Sequence, residues 1–272
     1  MKNKHYLADG LCFLLILFSL TSCKEKKCEF YSNGKTKSEY SLNSSRKIDG
    51  NYKEYYPNGK LKIKHIYENG VLKDSSVYFD TRGKLIEIHY HKVGFDYCKV
   101  YDNYDLKLIS HEGYLKNGKK INKWKFYRGY KVSKIFEYID SCGNQYTNQG
   151  WCFNKNGKLI DSGSNYYSFK IKNSIAEVGK AINFQAFYKP TLSKNSIVFI
   201  CMSPKIEKNF CNTDKVKLDT VLPVNNKFNF DVAFTKKGKK NLRGFFNEIF
   251  YDKNNNKTGV RKVYFSIPIL VR

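Results

Sequence analysis

Arginine, acidic residues and recognisable catalytic motifs are what this chain has least of. Only six of its 49 basic residues are arginines (Arg46, Arg82, Arg128, Arg243, Arg261 and Arg272), and 24 acidic residues leave a formal charge of +25. Bidentate recognition of phosphates and base edges favours the planar guanidinium. Lysines spread along the whole chain therefore argue against a nucleic-acid partner. No G-x-S-x-G, H-E-x-x-H or phosphate loop occurs, so no catalytic residue and no cofactor are expected. The cysteines show no zinc-type pair of pairs, which leaves no metal site legible in motifs. No helical period runs through the first half of the chain. The longest apolar run, Leu11–Leu20, has ten residues, about half of the roughly 20 that a membrane helix needs.

That run has a use. Lys2 and Lys4 precede it, and together they read as a leader over residues 1–22. Leu20-Thr21-Ser22-Cys23 resembles the bacterial lipobox, which implies lipidation of Cys23 and a membrane reached through a lipid anchor. Residues 23–29, with Lys24-Glu25-Lys26-Lys27, are expected to form a lipidated tether, and Lys24-Glu25 is similar to a surface-export signal of some lipoproteins. Without Lys2, Lys4 and Asp9 the chain carries +24, a field that suits an anionic partner. Six cysteines remain: Cys28, Cys98, Cys142, Cys152, Cys201 and Cys211. Two couples, Cys142/Cys152 and Cys201/Cys211, each lie ten apart around turn-rich stretches. That spacing suits local bridges in an oxidising compartment, the Cys201–Cys211 one above all.

The organising stretch is GNYKEYYPNGKLKIKHIYENGVLKDSSVYFDTRGKLIEIHYHK, Gly50 to Lys92. Gly59 and Gly83 anchor two copies 24 residues apart, and Asn69-Gly70 marks a second turn 11 residues after the first anchor. Asn-Gly favours a type I′ hairpin turn, which needs positive φ at both central residues. One period is thus two strands and two turns. An earlier copy is anchored at Gly34, a later one places Asp105 at the anchor position, Asn117-Gly118 belongs to another, and Gly157 closes the series. KLKIKHIY alternates, with Leu61, Ile63, His65 and Tyr67 on one face and Lys60, Lys62 and Lys64 on the other. The pattern resembles the MORN-variant repeats of exported bacterial proteins over about Phe30–Leu159. That resemblance implies an elongated antiparallel sheet and a binding or scaffolding role, and some members carry an antitoxin-component label.

Near Ser162-Gly163-Ser164-Asn165 the aromatic-NG grammar stops. Seven alternating segments follow: YYSFKIK, AINFQAFY, SIVFICM, KVKLDTVL, KFNFDVAF, NLRGFFNEIFY and VRKVYFSIPILV. Their number and turn spacing suggest a β-sandwich, similar to the immunoglobulin-like domains of exported bacterial proteins. The expected class is all-β: a repeated antiparallel β-hairpin meander over 30–164, followed by an immunoglobulin-like β-sandwich over 165–272.

Histidines form the one unusual constellation. His65, His89 and His111 each lie six residues past an anchor, which predicts one shared register. Equivalent positions two strands apart are about 9.6 Å apart, too far to share one zinc. His89 and His91 share a face, but no acidic or thiol partner is evident in the sequence. Asp252-Lys253-Asn254-Asn255-Asn256-Lys257 begins like a calcium loop but lacks the glycine and the glutamate that such a loop requires. It reads as an Asn-rich hairpin turn.

These features point to a lipid-anchored envelope protein that presents lysines and aromatics, such as Lys62, Lys64, Tyr67 and Tyr90, to an envelope protein or glycan. The alternatives are an envelope glycan hydrolase with scattered carboxylates brought about 5–10 Å apart by folding, and an immunity- or antitoxin-type protein. If the anchor reading holds, Cys23→Ala moves the protein from the membrane to the soluble fraction. Unchanged partitioning, with no lipid mass on the N-terminal peptide, would sink it.

Overall fold

The computed structural model describes residues 24–105, 107–172, 175–190, 196–225, 227–252 and 256–272. The expected leader, 1–22, and Cys23 lie outside the described residues. The described chain is all-β, and no helix in it is long and apolar enough to cross a membrane. The strands of the first half are β1 (Glu25–Phe30), β2 (Thr36–Leu42), β3 (Gly50–Tyr55), β4 (Leu61–Glu68), β5 (Val71–Phe79) and β6 (Leu85–Lys92). They continue with β7 (Phe95–Tyr101), β8 (Ile109–Lys116), β9 (Lys119–Arg128), β10 (Lys131–Ser141), β11 (Asn144–Phe153) and β12 (Leu159–Ile171). Each pairs antiparallel with the next, and the sheet runs on through β14 (Ala181–Lys189) and β17 (Lys227–Ala233) to 14 strands. A second sheet has the order β13 (Ile175–Ala176), β19 (Lys257–Val271), β18 (Gly238–Asp252), β15 (Ile197–Met202) and β16 (Asp219–Val221). Residues 25–30, expected to belong mostly to a tether, instead form the edge strand β1 against β2.

Turn chemistry explains the meander. Gly34, Gly59, Gly83 and Gly157 each donate their N–H to the carbonyl three residues back, at 2.8–2.9 Å. Each is the glycine of a three-residue hairpin loop that closes with the bulge such loops carry. Asn69-Gly70 and Asn117-Gly118 have positive φ at both residues (51° and 81°, 50° and 73°), as the type I′ reading requires, and Cys142-Gly143 adopts the same form. Stacked turns are cross-linked. Tyr31 and Tyr56 hydroxyls donate to the carbonyls of Tyr55 and Phe79, and the Asn33 and Asn58 amides donate to Pro57 and Thr81.

A second periodicity is a β-bulge. One extra residue opens the register at Lys37, Lys62, Ile86, Ser110 and Ser133, once per copy. A bulge re-aims the inserted side chain and increases local twist. Lys62 is accordingly turned to Glu54, which its ammonium meets at 2.6 Å, rather than continuing the line of Lys64.

Two apolar residues, Cys98 and Trp124, are fully buried among the described residues before 165; the rest of the buried apolar core comes later in the chain. There Ile182, Phe184, Tyr188 and Phe228 of the long sheet pack on Ile200, Phe246, Val263 and Phe265 of the second sheet. The point at which the repeat grammar stops falls inside β12. Its first part pairs with β11 and its second part with β14, so one strand serves both halves. The halves are also joined by side chains. Asn148 donates to the Tyr264 carbonyl and accepts its N–H, at 2.8 and 2.7 Å, and Tyr146 donates to the Lys262 carbonyl. Asn165 donates to the Tyr188 hydroxyl, which donates to the fully buried Glu248. KVKLDTVL yields only the short β16, because residues 203–218 fold as turns over Phe245 and Tyr264. β18 and β19 stay paired up to Asp252↔Lys257, which makes the Asn-rich segment a hairpin connection; its residues 253–255 lie outside the described residues.

The cysteine couples expected from spacing do not form. Cys142 is bonded to Cys211, with Cα atoms 4.8 Å apart, while Cys152 and Cys201 are free. Cys142 and Cys152 flank opposite ends of β11. At 3.3–3.4 Å per residue that strand holds them about 30 Å apart. Cys201 is buried in β15 beside Ile206 and Phe210, whereas Cys211 lies on the loop that reaches back to the β10–β11 turn. Mass mapping of the oxidised protein should recover a peptide joining Cys142 to Cys211. A closed span of 69 residues stabilises by about 4 kcal/mol in the chain-entropy account, so Cys211→Ser should lower the melting temperature by several degrees. A Cys201–Cys211 peptide would refute the pairing.

Candidate functional site

Straight register turns the meander into rows of side chains. Residues directly opposite one another in an antiparallel pair lie on the same face. Tyr52, His65, Ser76, His89, Cys98 and Gly113 are successive cross-strand partners on one face. The row beside it contains Ile63, Tyr78, Glu87, Val100, His111 and Phe126. His65 and His89 thus share a row, as expected, but His111 lies in the neighbouring one. The cause is the turn after β7, whose longer closure joins Asp102 to Leu108 and shifts β8 by two positions relative to its bulge.

A continuous polar network occupies this face. The Oγ of the fully buried Ser76 lies 2.6 Å from both His65 Nδ1 and His91 Nε2, and His91 Nδ1 lies 2.9 Å from Asp96 Oδ1. Asp96 accepts only, so His91 Nδ1 carries a proton; with both imidazoles neutral, Ser76 donates to His91 Nε2 and His65 donates to Ser76. Serine, imidazole and carboxylate in this order have the connectivity of a hydrolytic triad. Ser76, however, has no exposed surface and holds an imidazole on each side, so its hydroxyl relays hydrogen bonds rather than meeting a substrate. Next to it, Glu87 Oε1 accepts from His89 Nε2 at 2.6 Å and from Cys98 Sγ at 2.8 Å. Those three ligand atoms all lie within 4.8 Å of one another. The acidic and thiol partners that the sequence did not disclose are therefore Glu87, two residues before His89, and Cys98, directly across the β6–β7 hairpin.

Electrostatics follow the contacts. Hydrogen bonding from His89, then from Cys98, holds Glu87 below the ordinary carboxylate value against its burial. Burial and the Glu87 carboxylate push the Cys98 thiol well up. Burial lowers His65, with His91 and His89 adding to the effect, and burial and the nearby Lys120 lower His111. Lys120 is itself lowered by burial, and its ammonium sits 4.4, 5.3 and 5.6 Å from the Trp124, Phe126 and Tyr138 ring centroids. It lines a cleft of about 950 Å³ between the β8–β9 hairpin and residues 207–210. Gly113 closes the polar row because a Cβ there would stand 2.4 Å from the Trp124 ring.

The opposite face carries a different row: Lys53, Lys64, Val77, Ile88, Lys99, Glu112, Lys125, Ile135 and Trp151. Tyr90 and Tyr97 flank it, and the Lys99 and Lys123 ammonium groups lie 5.8 and 4.5 Å from the Tyr90 and Trp151 rings. The four residues singled out from the sequence do not make one surface. Lys64 and Tyr90 lie on this lysine face. Tyr67 packs edge-on to His65, and Lys62 is turned to Glu54.

Burial of His65 and His111 gives the fold a pH dependence. Both have folded pKa values below the ordinary 6.5, so the unfolded chain binds these protons first and stability falls as pH drops below about 6.5. Glu54, His89 and His91 face His65, while Glu87 and Lys120 face His111. The melting temperature should therefore drop between pH 7.5 and 5.5, and His111→Phe, which keeps a ring against Phe126, should flatten the profile. An unchanged slope in that variant would refute the assignment.

Compared with protein-family models, curated proteins and solved structures, the chain finds no match in any of the three.

Proposed function

We propose that this chain is a lipid-anchored cell-envelope protein of the MORN-variant type, tethered at Cys23, that binds an acidic envelope glycan on the lysine face of its long sheet without catalysing a reaction. The observation that carries the reading is the row in which Lys64, Lys99 and Lys125 recur, with Lys53 paired to Glu39 at its start and Val77, Ile88 and Glu112 between the lysines. Its strands are spaced about 4.8 Å apart, and the half-buried rings of Tyr90, Tyr97 and Trp151 lie on the same face. Among the described residues Lys64, Lys99, Lys123 and Lys125 have no carboxylate within 4.0 Å, so their charge is available to a partner. Aromatic rings between ammonium groups suit sugar rings bearing carboxylates, and an extended row suits a polymer. Lysine in place of arginine fits diffuse attraction better than forked recognition of one group.

The test uses the full chain, because a cut at 164/165 divides β12 and separates Cys142 from Cys211. Lys64→Gln, Lys99→Gln and Lys125→Gln together should weaken retention on an immobilised uronate polysaccharide by roughly tenfold, at a few tenths to 1 kcal/mol per surface charge. Binding by the parent should also fall between 0.15 and 1 M salt, where the screening length shrinks from about 8 to 3 Å. The charge-matched control is Lys236→Gln, Lys237→Gln and Lys239→Gln, on exposed residues far along the chain. Equal loss in both triple variants would mean net charge alone acts and would overturn the surface. So would capture of a protein partner that ignores all six substitutions.

A further inference from the structure

Glu87, His89 and Cys98 hold a hydrogen-bond arrangement that a metal ion would complete. A thiol and an imidazole N–H both donate to one carboxylate oxygen, Glu87 Oε1, at 2.8 and 2.6 Å. Two protons thus converge on the space between a sulfur, a nitrogen and an oxygen that all lie within 4.8 Å of one another. Ligand atoms around a single zinc-type ion, each about 2.0–2.3 Å from it, fit within that separation. Rigid elements set the trio. Glu87 and His89 are alternate residues of β6, Cys98 is the direct partner of His89 in β7, and the two strands are joined by the tight Val93-Gly94 turn.

A second feature points the same way. The other nitrogen of His89, Nδ1, faces Asp96 Oδ2 at 3.9 Å. When His89 uses Nε2 as a ligand, its proton moves to Nδ1, and the carboxylate that would receive it is in place. Metal-bound histidines are commonly backed by a carboxylate in this way, which fixes the tautomer. Cys98 has no exposed surface, while the imidazole of His89 keeps 17% of its own, so the ion would enter from the His89 side and stay shielded below.

We propose that Glu87, His89 and Cys98 bind one thiophilic divalent cation of the zinc type. A thiolate ligand selects against calcium and magnesium, which take oxygen ligands. The exchange balances: the cation enters, Cys98 loses one proton to solvent and becomes a thiolate, and the His89 proton shifts from Nε2 to Nδ1. Three protein ligands leave a tetrahedral ion one position for water. Charges facing the site are Asp96, which helps, and Lys120, which opposes.

The probe is cobalt(II), which reports thiolate ligation through a charge-transfer absorption, followed by displacement with zinc(II), on the full chain stripped of metal. One equivalent of cobalt should produce the band, zinc should abolish it, and calcium or magnesium should leave it unchanged. Cys98→Ser should remove the band, and His89→Gln should weaken zinc binding by about 100-fold or more, beyond what loss of an outer hydrogen-bond partner costs. Cys28→Ser, at an exposed thiol, should change neither. Unliganded Cys98→Ser is isosteric; should it melt early, His89→Gln gives the affinity readout instead. No band in the parent, a band that survives Cys98→Ser, or one lost in Cys28→Ser would each overturn the site.

Discussion

The long sheet of this molecule depends on antiparallel register throughout. Side chains alternate faces with a period of two, so a slip of one residue would exchange the contents of the two faces. Here that slip would carry Ser76 and Cys98 into solvent and bring Lys64 and Lys99 over the aromatic ladder. Register is held at every strand end by turns of fixed length. At one end of the sheet most loops are three-residue loops closed by glycine; at the other, tight two-residue turns predominate. The bulge near the start of β2, β4, β6, β8 and β10 is part of the same device. It adds twist once per period while leaving each following row straight.

A sheet so long and thin has almost no apolar interior before β12. What replaces it is lateral. Aromatic rings step from strand to strand through Tyr40, Tyr52, His65, Tyr78 and His89, with centroids 5.0–6.0 Å apart. Such pairs contribute about 0.5–1.5 kcal/mol each beyond their burial. Turn side chains bond to the next turn, so neighbouring copies support one another as in other repeat arrays. At the far end the same sheet changes partner and becomes one wall of a packed sandwich. The disulfide and the Asn148–Tyr264 pair fix the meander to the large core that the later strands build.

Much of this was legible in the sequence, for identifiable reasons. Asn69-Gly70 and the Gly59 and Gly83 anchors reveal the hairpins because positive φ demands those residue types. The alternating segments after residue 165 reveal the sandwich strands because one face of each must be buried. What was not legible came from register across strands. Lys62 counts as a lysine-face residue by strict alternation and leaves that face only through a bulge, which carries no local signature. His111 matches His65 and His89 by distance from an anchor, yet the longer turn after β7 moves it one row. Cys142 and Cys152 look adjacent in sequence and are held apart by a whole strand. Glu87 shares the face of His89 by simple alternation along β6, whereas Cys98 comes beside His89 only through the two-residue turn at Val93-Gly94, which pairs 89 with 98.

The two faces are therefore two chemical surfaces on one layer of backbone. The lysine face carries Lys64, Lys99 and Lys125 with no carboxylate within 4.0 Å among the described residues, Lys53 held by Glu39, and rings set beside them. Its attraction is long-ranged and weakened by salt. The histidine face gathers its carboxylates, imidazoles and thiol into closed contacts; Ser76 and Cys98 are buried and the imidazoles half-buried, although no sheet covers β4–β8 among the described residues. Burying such groups is costly unless they are paired. Ser76 and Glu87 meet that cost by each accepting or relaying two hydrogen bonds. Polar groups this concentrated are not needed to stabilise a meander, since the equivalent positions in β10 and β11 are filled by Phe136 over Gly150. The same row can thus be built apolar in this fold, and the polar filling at β5–β7 sets that stretch apart from the rest of the sheet.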